Sequence, residues 1–135
     1  MEASKDMDRV IDVLMLAGTL LLESGSEIHR VEDTMIRIAH SQGIDDCNAL
    51  AMPVAIFFSI ENANITRMKR ILRTNYNIEK VCDVNQISRQ LVSGHINLEE
   101  AYQALIQLKQ KAVPYTNLQL TIAATLSAPF FSIMF

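Results

Sequence analysis

The fold class is decided by residues 47–60, which read CNALAMPVAIFFSI. They are almost all apolar, follow no helical period and are interrupted by Pro53, so they predict a strand that is kinked or bulged at the proline. Turn residues (ENAN) occupy 61–64, and residues 65–73 (ITRMKRILR) fit either a second strand or a helix. The short turn and the branched side chains favour a strand, so the two segments together predict a β-hairpin.

The hairpin is flanked on both sides by segments with helical periodicity. In residues 6–23, apolar side chains recur every three or four positions, and the additional Ile11 and Leu16 predict a helix that is buried on most sides. Three further segments have the same period, at residues 26–42, 78–93 and 97–111. The sequence therefore predicts an α+β domain in which four helices surround a small β-hairpin.

Capping residues mark ends of three of these helices. Gly25 follows the first helix and predicts a left-handed C-terminal stop. Ser24 and Glu27 have the spacing of a capping box that would open the second helix, with Ser26 as an alternative N-cap. Asn97 precedes an acidic first turn, which is a strong start signal for the fourth helix.

The end of the sequence is apolar. Residues 112–135 contain no charged residue, and 118–135 read LQLTIAATLSAPFFSIMF. A helix that spans a bilayer needs about 20 mainly apolar residues, although a run of this kind can also form a buried helix. The position after Pro114 favours the start of a transmembrane segment over residues 114–135, with residues 1–113 as a separate domain.

The charges around this apolar run predict its orientation. The first ten residues, MEASKDMDRV, are polar and acidic and do not form a secretory signal. Lys109 and Lys111 stand just before the apolar run, and the positive-inside rule keeps such residues on the cytoplasmic side. We therefore expect the protein in the inner (cell) membrane, with residues 1–113 in the cytoplasm.

The charge balance gives no sign of nucleic-acid binding. The chain carries 12 Lys and Arg against 15 Asp and Glu, a net charge of −3. One basic cluster stands out, formed by Arg67, Lys69, Arg70 and Arg73, with Tyr76 as its nearest aromatic residue. We expect this cluster to be a solvated strand face, or to meet the acidic N-terminal half or anionic lipid headgroups.

No motif for metal, cofactor or nucleotide chemistry is present in the sequence. Cys47 and Cys82 are 35 positions apart, with no CxxC and no His at ligand spacing, which indicates reduced thiols rather than a metal site. Phosphate-binding loops, HExxH and GxSxG are also missing, which lowers the probability of an NTPase, a zincin or a serine hydrolase. The sequence therefore predicts no cofactor and no catalytic residue.

The densest polar run is 23–33, ESGSEIHRVED. In one interpretation it is a capped helix whose exposed face pairs its own charges, with Glu27 next to Arg30. In a second, the free amides of the helix start and Arg30 hold an anion, although the acidic neighbours favour an amino group or a basic partner. The residues that we single out for solute or partner contact are Ser24, Glu27, His29, Arg30, Glu32 and Asp33.

The same run also permits an enzymatic interpretation. Ser24 or Ser26 would be the nucleophile and His29 its base, oriented by Glu32 or Asp33 at helical spacing. Residues so close in sequence rarely reach the required geometry, because a base and its orienter on one helical turn point outward together. The structural interpretation is therefore favoured.

Residues 17–35, AGTLLLESGSEIHRVEDTM, resemble the amino-terminal signature of the threonine/serine exporter family. The similarity extends over roughly residues 8–135. Further matching features follow in the same order, namely Met52-Pro53, Thr66-Arg67, Val84-Asn85 with Arg89 and Gly94, and Glu100-Ala101 with Leu105. The chain departs from the family at Val54-Ala55, where members often have Thr-Gly.

The resemblance implies a cytoplasmic domain followed by a multi-helix membrane domain that exports small amino acids or, in some members, small carboxylic acids. The implied partners are the membrane, a small-molecule solute, and either a second small membrane subunit or further copies of the chain. Because the other membrane helices are missing, we expect a fragment or a truncated reading frame. Three functions are open: a transporter component, a hydrolase-like enzyme domain, and a regulatory or assembly module.

Overall fold

The computed structural model describes residues 2–110, which form four helices and three strands. The elements are α1 (Glu2–Glu23), α2 (Ile28–Ser41), β1 (Cys47–Met52), β2 (Ala55–Ile60), β3 (Ile65–Arg70), α3 (Ile78–Val92) and α4 (Leu98–Gln110). The predicted α+β class with four helices is confirmed. The boundary expected at residue 113 and the transmembrane start expected over 114–135 lie outside the described residues.

The three strands form one antiparallel sheet in the order β1-β2-β3. Met52 pairs with Ala55, so that only Pro53 and Val54 connect β1 to β2. The predicted single strand with a bulge at Pro53 is therefore wrong, and the proline lies in a tight turn between two strands. The physical reason is that proline has no N–H to donate to a sheet and a fixed φ, both of which suit a turn.

The second connection of the sheet confirms the predicted strand pairing. Ile60 pairs with Ile65 and Ala55 with Arg70, so β2 and β3 form a hairpin over residues 55–70. Its turn contains Asn64 at φ 56°, a left-handed conformation that asparagine tolerates better than most side chains do. Residues 65–70 are therefore a strand, as the branched side chains indicated.

Helix α1 forms the centre of the core. It packs against α2, α3, α4 and β2. Its fully buried side chains include Ile11, Val13 and Leu14, each at most 1% exposed, which confirms the prediction of burial on most sides. Leu16 is only partly buried and borders the groove described below. The sheet contributes Ile56, Phe58 and Ile60 to the same core, all from one face of β2.

Gly18 lets α1 and α2 approach closely. A Cβ atom at this position would lie 2.7 Å from Sδ of Met35 on α2, and 3.3 Å from a methyl carbon of Ile56 on β2. Any larger residue would therefore push the two helices or the sheet apart.

Within residues 2–110, no helix has both the length and the apolar character needed to cross a bilayer.

Candidate functional site

The predicted polar run lies where α1 ends and α2 begins. Glu27 is the N-cap residue of α2, with φ −65° and ψ 144°, and no side chain caps this helix. Its carbonyl accepts hydrogen bonds from the N–H groups of Arg30 and Val31, both at 3.1 Å. The predicted capping box of Ser24 and Glu27, with Ser26 as alternative, is therefore wrong, because the helix begins three residues later than the box requires.

Ser24 belongs to a buried turn. The residue is 5% exposed, and its N–H donates to the carbonyls of Leu20 and Leu21 at 3.0 and 3.2 Å. The carbonyl of Ser24 accepts from the N–H of Asn77, and that of Glu23 accepts from the N–H of Asn75 at 2.7 Å. The turn is thus tied to the segment that precedes α3.

An exposed cluster of three side chains surrounds the Glu27 carboxylate. Nε2 of His29 lies 3.5 Å from Oε1 of Glu27, and Nε of Arg30 lies 3.8 Å from the same oxygen. All three side chains are more than two-thirds exposed. Ion pairs of this kind contribute little to stability, because water and salt screen them. The exposed cluster (Glu27, His29 and Arg30) therefore presents a carboxylate, an imidazole and a guanidinium cation to solvent without holding the fold together.

Glu32 points the other way, toward the sheet. Its Oε2 accepts a hydrogen bond from the backbone N–H of Ala51 at 2.8 Å. Ala51 lies on β1, an edge strand of the sheet, where alternate N–H groups have no strand partner. Ala51 is 4% exposed, so water has little access to this amide. Glu32 thus satisfies a buried donor at the sheet edge and joins α2 to β1.

Asp33 is paired on the surface of its own helix. Its Oδ2 lies 2.9 Å from Nε of Arg37, one turn further along α2. The two carboxylates considered as orienters of His29 are therefore engaged elsewhere, Asp33 with Arg37 and Glu32 with Ala51. Among residues 2–110 the nearest acidic partner of His29 is Glu27. The arrangement required by the hydrolase interpretation is not assembled in this part of the chain.

A groove that the sequence did not predict runs between α1, β3 and α4. It encloses about 400 Å³. The lining combines carboxylates, cations and apolar side chains, including Asp12, Glu23, Lys69, Lys109, Leu16 and Ile106. Asp12 and Glu23 are three helical turns apart on α1, so the acidic groups lie toward opposite ends of the groove. Its three walls come from distant parts of the sequence, so helical periodicity alone could not reveal it.

The basic cluster of β3 meets the N-terminal helix through one residue. Nη2 of Arg67 lies 3.3 Å from Oδ1 of Asp8 on α1. The expected contact with the acidic N-terminal half is thus confirmed for Arg67. The other three cations of the cluster, Lys69, Arg70 and Arg73, have no carboxylate within 4.0 Å among residues 6–110.

Both cysteines are free thiols. Burial, followed by the charges of Asp46 and Asp45, raises the pKa of the Cys47 thiol above its ordinary value. A raised pKa reduces the thiolate fraction at neutral pH, so Cys47 is a weak nucleophile and a weak metal ligand. Within the described residues, no three His, Cys, Asp or Glu side chains are grouped to hold a metal ion.

Comparison with protein families gives a match over residues 12–135 to the family ThrE, described as "Putative threonine/serine exporter". The chain belongs to the ThrE family. The match covers the described domain from the middle of α1 onward together with the apolar run, and it confirms the resemblance inferred from residues 17–35. ThrE membership indicates a membrane transporter of threonine- or serine-like compounds. Searches of curated proteins and of solved structures gave no significant match.

Proposed function

We propose that residues 1–113 form the cytoplasmic amino-terminal domain of an inner-membrane exporter, and that residues 114–135 begin a transmembrane segment. The exported solutes would be small metabolites, namely threonine- or serine-like amino acids or small carboxylic acids. The observation that carries this proposal is the family match, which extends from residue 12, within α1, through the uncharged residues 112–135.

The distribution of charge supports the proposed orientation. Lys109 and Lys111 stand immediately before residues 112–135, which carry no charge. Cationic residues next to a membrane segment stay preferentially on the cytoplasmic side. The helix–sheet domain precedes these lysines and is therefore expected on the same side.

The six candidate residues divide into two groups on structural grounds. Ser24 is buried in a turn, and Glu32 accepts a hydrogen bond from the edge strand of the sheet. Both residues therefore support the fold. The exposed cluster (Glu27, His29 and Arg30) holds no other element in place. The proposed site of solute or partner contact is therefore the exposed cluster, with Asp33 beside it. The partner would be a second small membrane subunit or another copy of the chain.

Efflux measurements test the proposed function. Cells that lack the protein should release threonine and serine, or a small carboxylic acid, more slowly than the parent, and cells that overproduce it should release them faster. Unchanged efflux in both strains would contradict the export proposal.

Single substitutions test the proposed role of the exposed cluster. His29→Ala and Arg30→Ala should lower efflux while the protein remains in the membrane at normal abundance. Arg37→Ala is a matched control, because Arg37 is equally exposed on α2 but pairs with Asp33 further along the helix. If His29→Ala and Arg30→Ala exported as fast as Arg37→Ala, the proposed role of the exposed cluster in transport would be contradicted.

A further inference from the structure

Within the part of the chain that the structure describes, one apolar face of the three-stranded sheet is not covered by another element. In the observed register, Leu50 pairs with Phe57 and Phe57 with Met68, so these three side chains form a row across the sheet. They alternate along each strand with the residues that face α1 and α2, such as Ala51 and Ile56. We call this side of the sheet the outer face; it consists of Asn48, Leu50, Met52, Ala55, Phe57, Ser59, Thr66, Met68 and Arg70.

The outer face is exposed although several of its side chains are large and apolar. An antiparallel sheet that turns one face to water normally carries polar side chains there. Here Leu50 is 52% exposed, Met52 40% and Met68 58%, with Val54 in the adjoining turn 58% exposed. A contiguous apolar surface of this kind commonly marks a site of interaction.

The charge on the outer face is positive at the end that carries Arg70, while the Glu61 carboxylate lies beside Asn48 at the other end. None of the residues of the outer face is acidic, and Arg70 lies on it directly across the sheet from Ala55. Arg73 is close to Arg70 in the chain and is also exposed, whereas Lys69 pairs with Ile56 and so belongs to the opposite face of the sheet. Among residues 6–110, Arg70 and Arg73 have no carboxylate partner, although the chain as a whole is acidic. The apolar row is therefore flanked by cations that are available to an external anion.

The same region lies close to the point where the described chain ends. Lys109, in the last turn of α4, lines the same groove as Met68 and Lys69 of β3. The uncharged residues 112–135 begin three positions after Lys109. A bilayer entered by this run would therefore lie beside the basic edge of the sheet.

From these observations we propose that the outer face docks onto the surface of an anionic lipid bilayer. Leu50, Phe57 and Met68 would contact the boundary between headgroups and acyl chains, and Arg70 and Arg73 would contact lipid phosphates. The inference rests on the proposed membrane location of the chain and adds to it an orientation of the domain relative to the bilayer.

Fluorescence quenching in vesicles tests this orientation with the full chain. Bimane is attached at Met68→Cys, or at Gln86→Cys on α3 as the control, after Cys47 and Cys82 have been replaced by alanine and serine. The vesicles contain phosphatidylglycerol and phosphatidylcholine that is brominated in the acyl chain. We expect strong bromine quenching of the label at position 68 and weak quenching at position 86, which is exposed on a helix away from the sheet.

Removal of charge tests the role of the cations. Each cation close to an anionic leaflet strengthens association roughly fivefold, so Arg70→Gln with Arg73→Gln should weaken docking about 30-fold. Quenching at position 68 should fall correspondingly, and it should also fall in vesicles without phosphatidylglycerol. Arg37→Gln, which removes an exposed charge from α2, should leave quenching unchanged.

The outcomes separate this inference from the function on which it rests. If the chain does not float with the vesicles, both the proposed membrane location and the docking inference fail. If it floats but positions 68 and 86 are quenched equally, the docking inference alone is overturned. It is likewise overturned if Met68→Cys forms a disulfide-linked dimer without bromine quenching, because a second copy would then cover the face.

Discussion

Replacing Glu32 by alanine should destabilise the domain through the loss of a single hydrogen bond. The Glu32 carboxylate accepts from the N–H of Ala51 at 2.8 Å, and Ala51 is 4% exposed. In Glu32→Ala, water would have to reach an amide that the surrounding residues shield. If water does not reach it, the amide is left without a hydrogen-bond acceptor, and a buried N–H without an acceptor lowers the stability of the fold.

The magnitude follows from the nature of the bond. A hydrogen bond to a charged group contributes about 1.5–3 kcal/mol. Glu32 itself is only partly buried, so the lower half of this range applies, and we expect a loss of about 2 kcal/mol for Glu32→Ala. Glu32→Gln keeps an acceptor oxygen and should lose roughly 1 kcal/mol, the part that depends on the charge.

Asp33→Ala provides a matched control on the neighbouring residue. It removes a carboxylate that pairs with Arg37 at 2.9 Å, but both side chains are more than half exposed. Such a pair on one helix face contributes about 0.3–0.5 kcal/mol. Urea unfolding of residues 1–113, followed by circular dichroism, would compare the variants. Hydrogen exchange of the Ala51 amide in the full chain would locate the change independently of the truncation.

The reasoning would be refuted if Glu32→Ala were no more destabilising than Asp33→Ala. It would also be refuted if the Ala51 amide exchanged at the same rate in Glu32→Ala as in the unmodified chain.

Three further predictions concern a helix cap, a turn and a thiol. Asn97→Ala should lose about 1 kcal/mol in urea unfolding, since it removes the side-chain oxygen that accepts a 2.8 Å hydrogen bond from the N–H of Glu100. The backbone N–H of residue 97, which donates to the Glu100 carboxylate at 2.9 Å, is kept by alanine. Ser24→Ala should lose clearly less, because Ser24 does not cap α2. Gly25→Ala should be more destabilising than Gly94→Ala: both have positive φ (92° and 85°), but only at Gly25 would the new Cβ meet an aromatic ring. Cys47 should react slowly with iodoacetamide at neutral pH and faster as pH rises or urea unfolds the chain, because its raised pKa keeps the thiolate scarce.

The helices could be predicted from the sequence because their signal is local. The predicted helices at residues 26–42 and 78–93 agree with α2 (Ile28–Ser41) and α3 (Ile78–Val92) to within two residues at each end. The path of the chain at Pro53 could not be predicted in the same way. An apolar run interrupted by proline is compatible with one bulged strand and with two strands, and only the pairing of Met52 with Ala55 distinguishes them.

In the candidate site, too, local features could be predicted from the sequence, whereas contacts between distant residues could not. The exposure of His29 and Arg30 follows from their place in the helical period, so the sequence was sufficient. The partner of Glu32 was not predictable, because the group it binds is a backbone N–H that any residue except proline carries. Arg67 of the basic cluster pairs with Asp8 on α1 rather than with Glu32.

The central position of α1 has a consequence for the order of events during translation. This helix leaves the ribosome first, yet it packs against α4, which is made about 90 residues later. The apolar side chains of α1 therefore stay partly uncovered throughout synthesis of the domain, where chaperones that bind apolar segments can reach them. The uncharged residues 112–135 directly follow α4 in the chain, so they leave the ribosome immediately after the helix that completes the core. Closure of the domain and emergence of its apolar run are thus separated by only a few steps of chain elongation.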